Sequence, residues 1–274
     1  MVDHICSFPA PLWLIGCGNM AGAMLEGWLA AGADPAGFTV VRPSGKPVAP
    51  GVRVLTGMPT GEIPAVALLG VKPQKLDEVA PVLEPALAPE TILVSILAGV
   101  ELASLQARFP RQRSIVRAMP NTPVRLCKGV TDLFAGAADE DAKGVIDRLM
   151  RPLGVTEWFE DEASFALAGH LSGAGPAFLF RFIDALAAAG TGLGLPADQS
   201  ARIANAMVAG AGALAAASAE TPAELAERVA SPGGTTRAGL DVLDEEGGLR
   251  PLIRRTLDGS RRRGLEMAQA ARTL

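Results

Sequence analysis

Short apolar runs alternate with longer helical patterns over the first half of the chain. The runs are Leu12–Gly16 (LWLIG), Phe38–Val41 (FTVV), Val52–Leu55 (VRVL), Ala65–Gly70 (AVALLG), Thr91–Ile96 (TILVSI) and Ser114–Met119 (SIVRAM). Helical spacing fills several of the gaps, at 21–31, 74–87 and 102–109. Apolar strands of this length alternating with helices predict a parallel sheet covered on both faces. Right-handed crossovers then make it doubly wound. From about Glu162 the strand signal ends. Ala/Leu-rich helices follow at 162–170, 176–193, 197–218, 222–230, 235–245 and 250–272, punctuated by Gly194-Leu195-Pro196, Thr221-Pro222 and Ser231-Pro232-Gly233-Gly234. The shift places a boundary near Trp158–Glu162, giving an α/β domain over 1–160 and an all-α domain over 161–274.

Composition supports two packed domains. The chain has 274 residues, 49% of them hydrophobic, 20% charged and 4% aromatic, with no Tyr. Such a chain can bury a core, and its small residues suit close helix packing. The formal net charge is −4, with no long basic run, so nucleic acid is not an expected partner. The arginines at 250, 254, 255, 261, 262, 263 and 272 share their region with acids and read as a solvated helix face. Cys6, Cys17 and Cys127 have no C-x-x-C spacing, which fits a reduced, cytoplasmic setting without a disulfide framework or zinc site. The first residues lack a basic segment followed by an apolar run, so no signal peptide is read. The uncharged stretch Ile203–Ala219 has 17 residues. It is shorter than the roughly 20 apolar residues of a membrane span, so no membrane is expected. The helices at 176–193 and 197–218 are apolar around much of their circumference. A small domain cannot cover several such helices alone, which predicts an obligate dimer.

The motif Gly16-Cys17-Gly18-Asn19-Met20-Ala21 directly follows a predicted strand and opens a helix. Gly16 permits the tight turn. Gly18 lets the backbone approach a pyrophosphate on the helix N-terminus, and Ala21 keeps helix and strand close. This strand–turn–helix setting makes the α/β half a Rossmann-like, dinucleotide-binding domain. Cys17 sits at a variable loop position. The second strand ends in Val41-Arg42-Pro43-Ser44-Gly45-Lys46 without the acid that usually holds an NAD ribose. Arg42 can instead pair with a 2′-phosphate, with Ser44 and Lys46 adding donors, which favours NADP(H) over NAD(H). Gly70-Val71-Lys72-Pro73 and Leu97-Ala98-Gly99 end further strands at the edge where such sheets bind ligands. Lys72 is a cofactor candidate or a surface cation at a helix start.

The helical half opens one helix after Ser172-Gly173-Ala174-Gly175-Pro176 and another at Ser231-Pro232-Gly233-Gly234-Thr235-Thr236. The second loop combines glycines, hydroxyls and a helix N-terminus. It is either an anion site suited to a carboxylate or a plain capped helix start. No metal-ligand cluster, H-E-x-x-H or G-x-S-x-G is present. His4 is terminal, and His170 is either structural or close to a substrate.

Together the blocks IGCGNMAGAML, LLGVKPQ, VSILAGV, VRAMPNTP, LSGAGPA and VASPGGTTRAGL resemble the pyrroline-5-carboxylate reductase family. The resemblance implies reduction of L-1-pyrroline-5-carboxylate to L-proline by hydride transfer from a nicotinamide cofactor. It implies an interlocked dimer that can assemble into rings. It implies cofactor contacts from Gly16, Cys17, Gly18, Asn19, Met20, Ala21, Arg42, Ser44, Gly70, Val71, Lys72, Pro73, Leu97, Ala98 and Gly99. It places Glu162, Ser231, Gly233, Gly234, Thr235 and Thr236 in the substrate region. The 231–236 loop would hold the carboxylate, and Thr236, together with Ser172, would serve catalysis. The family usually carries Thr, a small residue, Ser and Tyr where this chain has Gly169, His170, Ala174 and Phe178. A non-catalytic NADP-binding regulator and a reductase of a related cyclic imine are the alternatives. A 3-hydroxyacid dehydrogenase needs a lysine in its C-terminal domain, and this chain has none from Glu162 onward.

Overall fold

The computed structural model describes residues 8–136 and 140–272. His4, Cys6 and the start of the chain lie outside the described residues. The chain forms two compact units, residues 1–174 with 263–274, and residues 175–262.

The first unit is built on eight strands: β1 (Leu12–Ile15), β2 (Phe38–Val41), β3 (Arg53–Leu55), β4 (Val66–Leu69), β5 (Ile92–Ser95), β6 (Ile115–Pro120), β7 (Gly129–Phe134) and β8 (Gly154–Phe159). Their order is β3-β2-β1-β4-β5-β6-β7-β8. All neighbours are parallel except β6 and β7, so the sheet is mixed rather than wholly parallel. In β1 all four residues are buried, and its side chains alternate between two cores. Leu12 and Leu14 join the core that holds Trp28 and Met24, whereas Trp13 and Ile15 face the core of Leu105 and Phe109. That alternation is why the central strands read as continuous apolar runs.

The helices are α1 (Asn19–Ala30), α2 (Leu76–Leu83), α3 (Leu102–Arg108), α4 (Glu140–Met150) and α5 (Glu162–Ser172). Short 3-10 turns at 73–75 and 84–86 flank α2, with Pro73 and Pro85 at their starts, so the stretch expected at 74–87 is one helix with tightened ends. Strands β7 and β8 and helix α4 were not expected from the apolar pattern. β7 carries the buried Asp132, β8 alternates exposed and half-buried residues, and α4 is mostly charged on its outer face.

Helix α5 packs on the β7–β8 edge. Asp161 caps it by accepting from Ser164 N–H at 2.8 Å. Phe165 is buried, with ring centroids 6.0 Å from Phe134 and 6.4 Å from Phe159. A Cβ at Gly169 would lie 1.9 Å from Met119 Sδ, so the missing side chain is what lets the helix lie on β6.

The second unit holds α6 (Gly175–Gly192), α7 (Ala197–Ala217), α8 (Pro222–Arg228), α9 (Thr235–Asp244) and most of α10 (Leu249–Arg272). These helices begin and end within two residues of the predicted spans. Helices α6 and α7 form a hairpin, in which Gly190 lies against Ser200. Within the single chain no residue of α6 is buried, and only Ser200 and Ala204 of α7 are. Leu179, Phe180, Phe182, Ile203, Met207 and Leu214 are exposed. The run from Glu162 to Gly192 is long and apolar enough to span a membrane by length and composition. The end of α10 belongs to the first unit, and there Gly264 packs against the ring of His170. A helix-packing role for His170 follows from that contact.

Candidate active site

The glycine loop sits where the strand order reverses, between β1's two neighbours β2 and β4, at the carboxyl edge of the sheet. Gly16 adopts φ +83°, donates to Val41 O at 2.8 Å, and would place a Cβ 2.8 Å from Val71 and 3.0 Å from the Gly70 carbonyl. Gly70 in turn would meet Ala21 Cβ and Gly16 O at 2.9 Å. Gly16, Ala21, Gly70 and Val71 therefore interlock, and a larger residue at either glycine would push β1 and β4 apart.

Gly18 differs. It is the N-cap of α1 and nothing lies within 4 Å of the Cβ it lacks. No side chain caps this helix and no acid occupies its first turn. Its end presents unpaired N–H donors, positive dipole and open space, the conditions under which a helix N-terminus receives a phosphate. Asn19 and Met20 begin the same turn, Asn19 exposed and Met20 half-buried.

Arg42 closes a turn at the end of β2, donating its N–H to Leu55 O at 2.9 Å and accepting from Gly45 N–H at 3.1 Å. Ser44 is exposed, and its Oγ accepts from Lys46 N–H at 3.4 Å. Arg42 reaches the glycine loop electrostatically. Burial pushes the Cys17 thiol up, and the Arg42 charge opposes that shift while Glu26 adds to it. A raised thiol is a poor nucleophile, in keeping with a bystander role for Cys17. Lys72 is exposed at the end of β4, before Pro73 opens a turn. Among the described residues neither Arg42 nor Lys72 has an acidic partner. After β5, Leu97 is buried, Ala98 is exposed and Gly99 takes φ +74° with open space at its missing Cβ. The edge thus gathers two unpaired cations, one uncapped helix and two open glycines, a donor set that suits an anionic dinucleotide.

Glu162 is held differently from an open substrate group. Its Oε1 accepts from Leu102 N–H at 2.7 Å, at the start of α3, and from Arg117 Nη1 at 2.5 Å. Arg117 is 5% exposed and its guanidinium stacks 4.7 Å from the Phe165 ring centroid. Burial lowers the Arg117 pKa and Glu162 opposes that fall. Removing Glu162 would strand the buried Arg117 charge. Ser172, at the end of α5, donates to the buried Asp132, and its carbonyl accepts from Asn121 Nδ2 at 3.0 Å. Arg117 and Asp132 were missed by the sequence analysis. Their partners are 40 or more residues away, and only the fold brings them together.

In the second unit, Ser231, Gly233, Gly234, Thr235 and Thr236 form the turn into α9. Gly233 has φ +69° and open space, and Gly234 donates to Ser231 O at 2.9 Å. Like α1, α9 has no side-chain cap and no acid in its first turn. Thr235 and Thr236 are exposed. The next residue, Arg237, pairs with Glu227 at 3.0 Å, Asp241 at 2.8 Å and Asp244 at 3.6 Å, tying α9 to α8. Sequence spacing gave Arg237 no role, although its place directly after the threonines was visible.

The comparisons with known proteins extend over both units. Residues 162–267 match the family model described as pyrroline-5-carboxylate reductase dimerisation. Residues 12–99 match the model described as NADP oxidoreductase coenzyme F420-dependent. A pyrroline-5-carboxylate reductase of Pseudomonas aeruginosa is 35% identical over 93% of this chain and 96% of its own length. One from Pisum sativum is 32% identical over 94% of this chain and 96% of its own. The solved structure of a pyrroline-5-carboxylate reductase from Coxiella burnetii superimposes with a TM-score of 0.86 at 31% identity, covering 94% of this chain and 98% of that one. An uncapped, acid-free helix start in each unit, within a chain that aligns with these enzymes over 93% or more of its length, leads to one conclusion: the chain belongs to the pyrroline-5-carboxylate reductase family.

Proposed function

We propose that the protein reduces L-1-pyrroline-5-carboxylate to L-proline with NADPH, with NADH as the lesser donor. Family membership across both units carries this reading. Arg42 at the end of β2, without an acidic partner among the described residues, supports the preference for NADPH. When bound, the nicotinamide supplies a hydride for C5 of the ring, and the imine nitrogen takes a proton. The chain's own work is binding and orientation. Gly16–Ala21, Gly70–Pro73 and Leu97–Gly99 would contact the cofactor, with Arg42 and Ser44 on the 2′-phosphate. The N-terminus of α9, with Ser231, Gly233, Gly234 and Thr235, would hold the substrate carboxylate. Thr236 would hydrogen-bond the ring nitrogen, and Glu162 and Ser172 would shape the substrate region. Hydride transfer needs the reacting carbons at roughly 3–3.5 Å and little water between them.

Functionally the boundary is drawn at 160/161. Residues 1–160 bind the dinucleotide, and residues 161–274 bind substrate and dimerise, in line with a dimerisation match that begins at residue 162. The exposed apolar faces of α6 and α7 are covered in a homodimer, open to further assembly into rings, rather than by a membrane. No nucleic acid or metal takes part. The free thiols of Cys17 and Cys127 fit the cytoplasm.

The test is NADPH oxidation by the purified protein with and without pyrroline-5-carboxylate, with proline measured as product. Ala174 leaves a hydroxyl out of the loop entering α6, and Gly169 leaves another out of α5, which favours a related cyclic imine as the second reading. NADPH binding without proline formation, but with turnover of another imine, would select it. Binding with no turnover of any imine would leave a regulator.

A further inference from the structure

Where α5 leaves the sheet, a buried cluster holds more acceptors than protons. Asp132 on β7 is 3% exposed. Across the sheet it faces Met119 of β6 and Glu157 of β8. From α5 it meets the Ser172 hydroxyl. The cation nearest along β6, Arg117, is committed to Glu162 at 2.5 Å and stacked on Phe165, with Glu101 beside it. No cation pairs with Asp132 among the described residues. An ionised carboxylate in such a place would be both buried and uncompensated.

Ser172 Oγ has a second neighbour, the Ala168 carbonyl at 3.1 Å. A hydroxyl carries one proton. A carbonyl and a carboxylate both only accept, so that proton can serve one of them. Both contacts become attractive when the carboxyl itself is protonated. Asp132 then donates to Ser172 Oγ, and Ser172 donates to Ala168 O. Burial raises the Asp132 pKa, the Ser172 hydrogen bond opposes the shift, and the exposed Glu157 charge adds to it. Asn121 holds the same residue from β6's end, donating to Ser172 O at 3.0 Å while its Oδ1 accepts from Val130 N–H at 2.9 Å. Both contacts grip the last residue of α5, directly before Gly173-Ala174-Gly175.

We propose that Asp132 is a positioning residue for the reductase, a neutral carboxylic acid whose proton holds Ser172 and the 172–175 turn in place. The proposal rests on the assignment of Ser172 to the substrate region made above. Its sign in pH is fixed. A carboxyl whose folded pKa lies above its unfolded value adds stability at low pH, and that contribution is lost as pH rises through the folded value. The hold on Ser172 weakens over the same window.

The test compares full-length wild type, Asp132→Asn and Asp132→Ala. Asn keeps a donor for Ser172 and cannot ionise. The expected results are a kcat/KM and a melting temperature that fall more steeply with rising pH in wild type than in Asp132→Asn. Asp132→Ala should lose kcat about 10-fold at low pH, the size of one hydrogen bond, with the gap to wild type narrowing as pH rises and NADPH affinity unchanged. Isotope-edited infrared spectra should show a protonated aspartic acid in wild type at neutral pH and lose that band in Asp132→Asn. A carboxylate band at neutral pH overturns the proposal. So does an Asp132→Ala protein that melts earlier yet keeps wild-type kcat and pH profile, because Asp132 is then only structural. A wild type with no reductase turnover defeats the function assignment instead, and the infrared and melting data still decide where the Asp132 proton is.

Discussion

Two glycine-rich turns open uncapped helices in this chain, and they are held by different means. The loop at Gly16–Ala21 is locked by distant strands. Gly16 bonds to β2, and its missing Cβ is the space that Val71 and Gly70 of the β4 end occupy. The loop at Ser231–Thr236 has only local support. Gly234 bonds back to Ser231, and Arg237 ties the helix to acids at most ten residues away. The first turn cannot change without disturbing the sheet. The second can change its chemistry while the fold stands.

Substitutions that touch one turn at a time sharpen that contrast. Gly16→Ala combines a left-handed φ with a backbone clash, so it should destabilise the protein by roughly 2–5 kcal/mol, read by chemical denaturation. A near-neutral result would mean the loop relaxes freely and would erase the contrast. Thr236→Val removes one exposed hydroxyl at constant shape. It should lower kcat and kcat/KM together, on the order of 10- to 1000-fold, with NADPH affinity and melting temperature unchanged. Unchanged turnover would reduce the 231–236 turn to a helix start. Arg42→Ala should weaken NADPH by about 1.5–3 kcal/mol, or roughly 10- to 150-fold, and leave NADH nearly untouched, measured by fluorescence titration with each cofactor. Equal losses would show that Arg42 does not read the 2′-phosphate. Gly233→Ala meets open space and only a conformational penalty, so it should cost about 1–2 kcal/mol. A cost equal to that of Gly16→Ala would mean the two turns are held alike.

The same distinction between local and distant support decides what the sequence revealed. Strands β1–β6 and all the helices from α5 onward were legible, because an apolar run or a helical period is written in consecutive residues. The glycine loop was legible for the same reason. Strands β7 and β8 were not, because Asp132 interrupts one apolar run and β8 shows its alternation to a half-exposed edge. Helix α4 was hidden by its charge. The ion pair of Arg117 with Glu162 joins residues 45 apart, and Ser172 reaches Asp132 across 40. No spacing rule pairs such residues before the sheet order is known. Glu162 was marked for the substrate region by resemblance, and the fold adds that it also anchors α3 and neutralises Arg117.

The bare α6 has a kinetic consequence. A helix of 18 residues with none buried in its own chain has no intramolecular core to condense on. Most of what stabilises it must come from another copy, so completion of this half is a second-order event. Its refolding rate should scale with protein concentration, while the β-sheet unit, with both of its cores supplied by one chain, should collapse at a rate that dilution does not change.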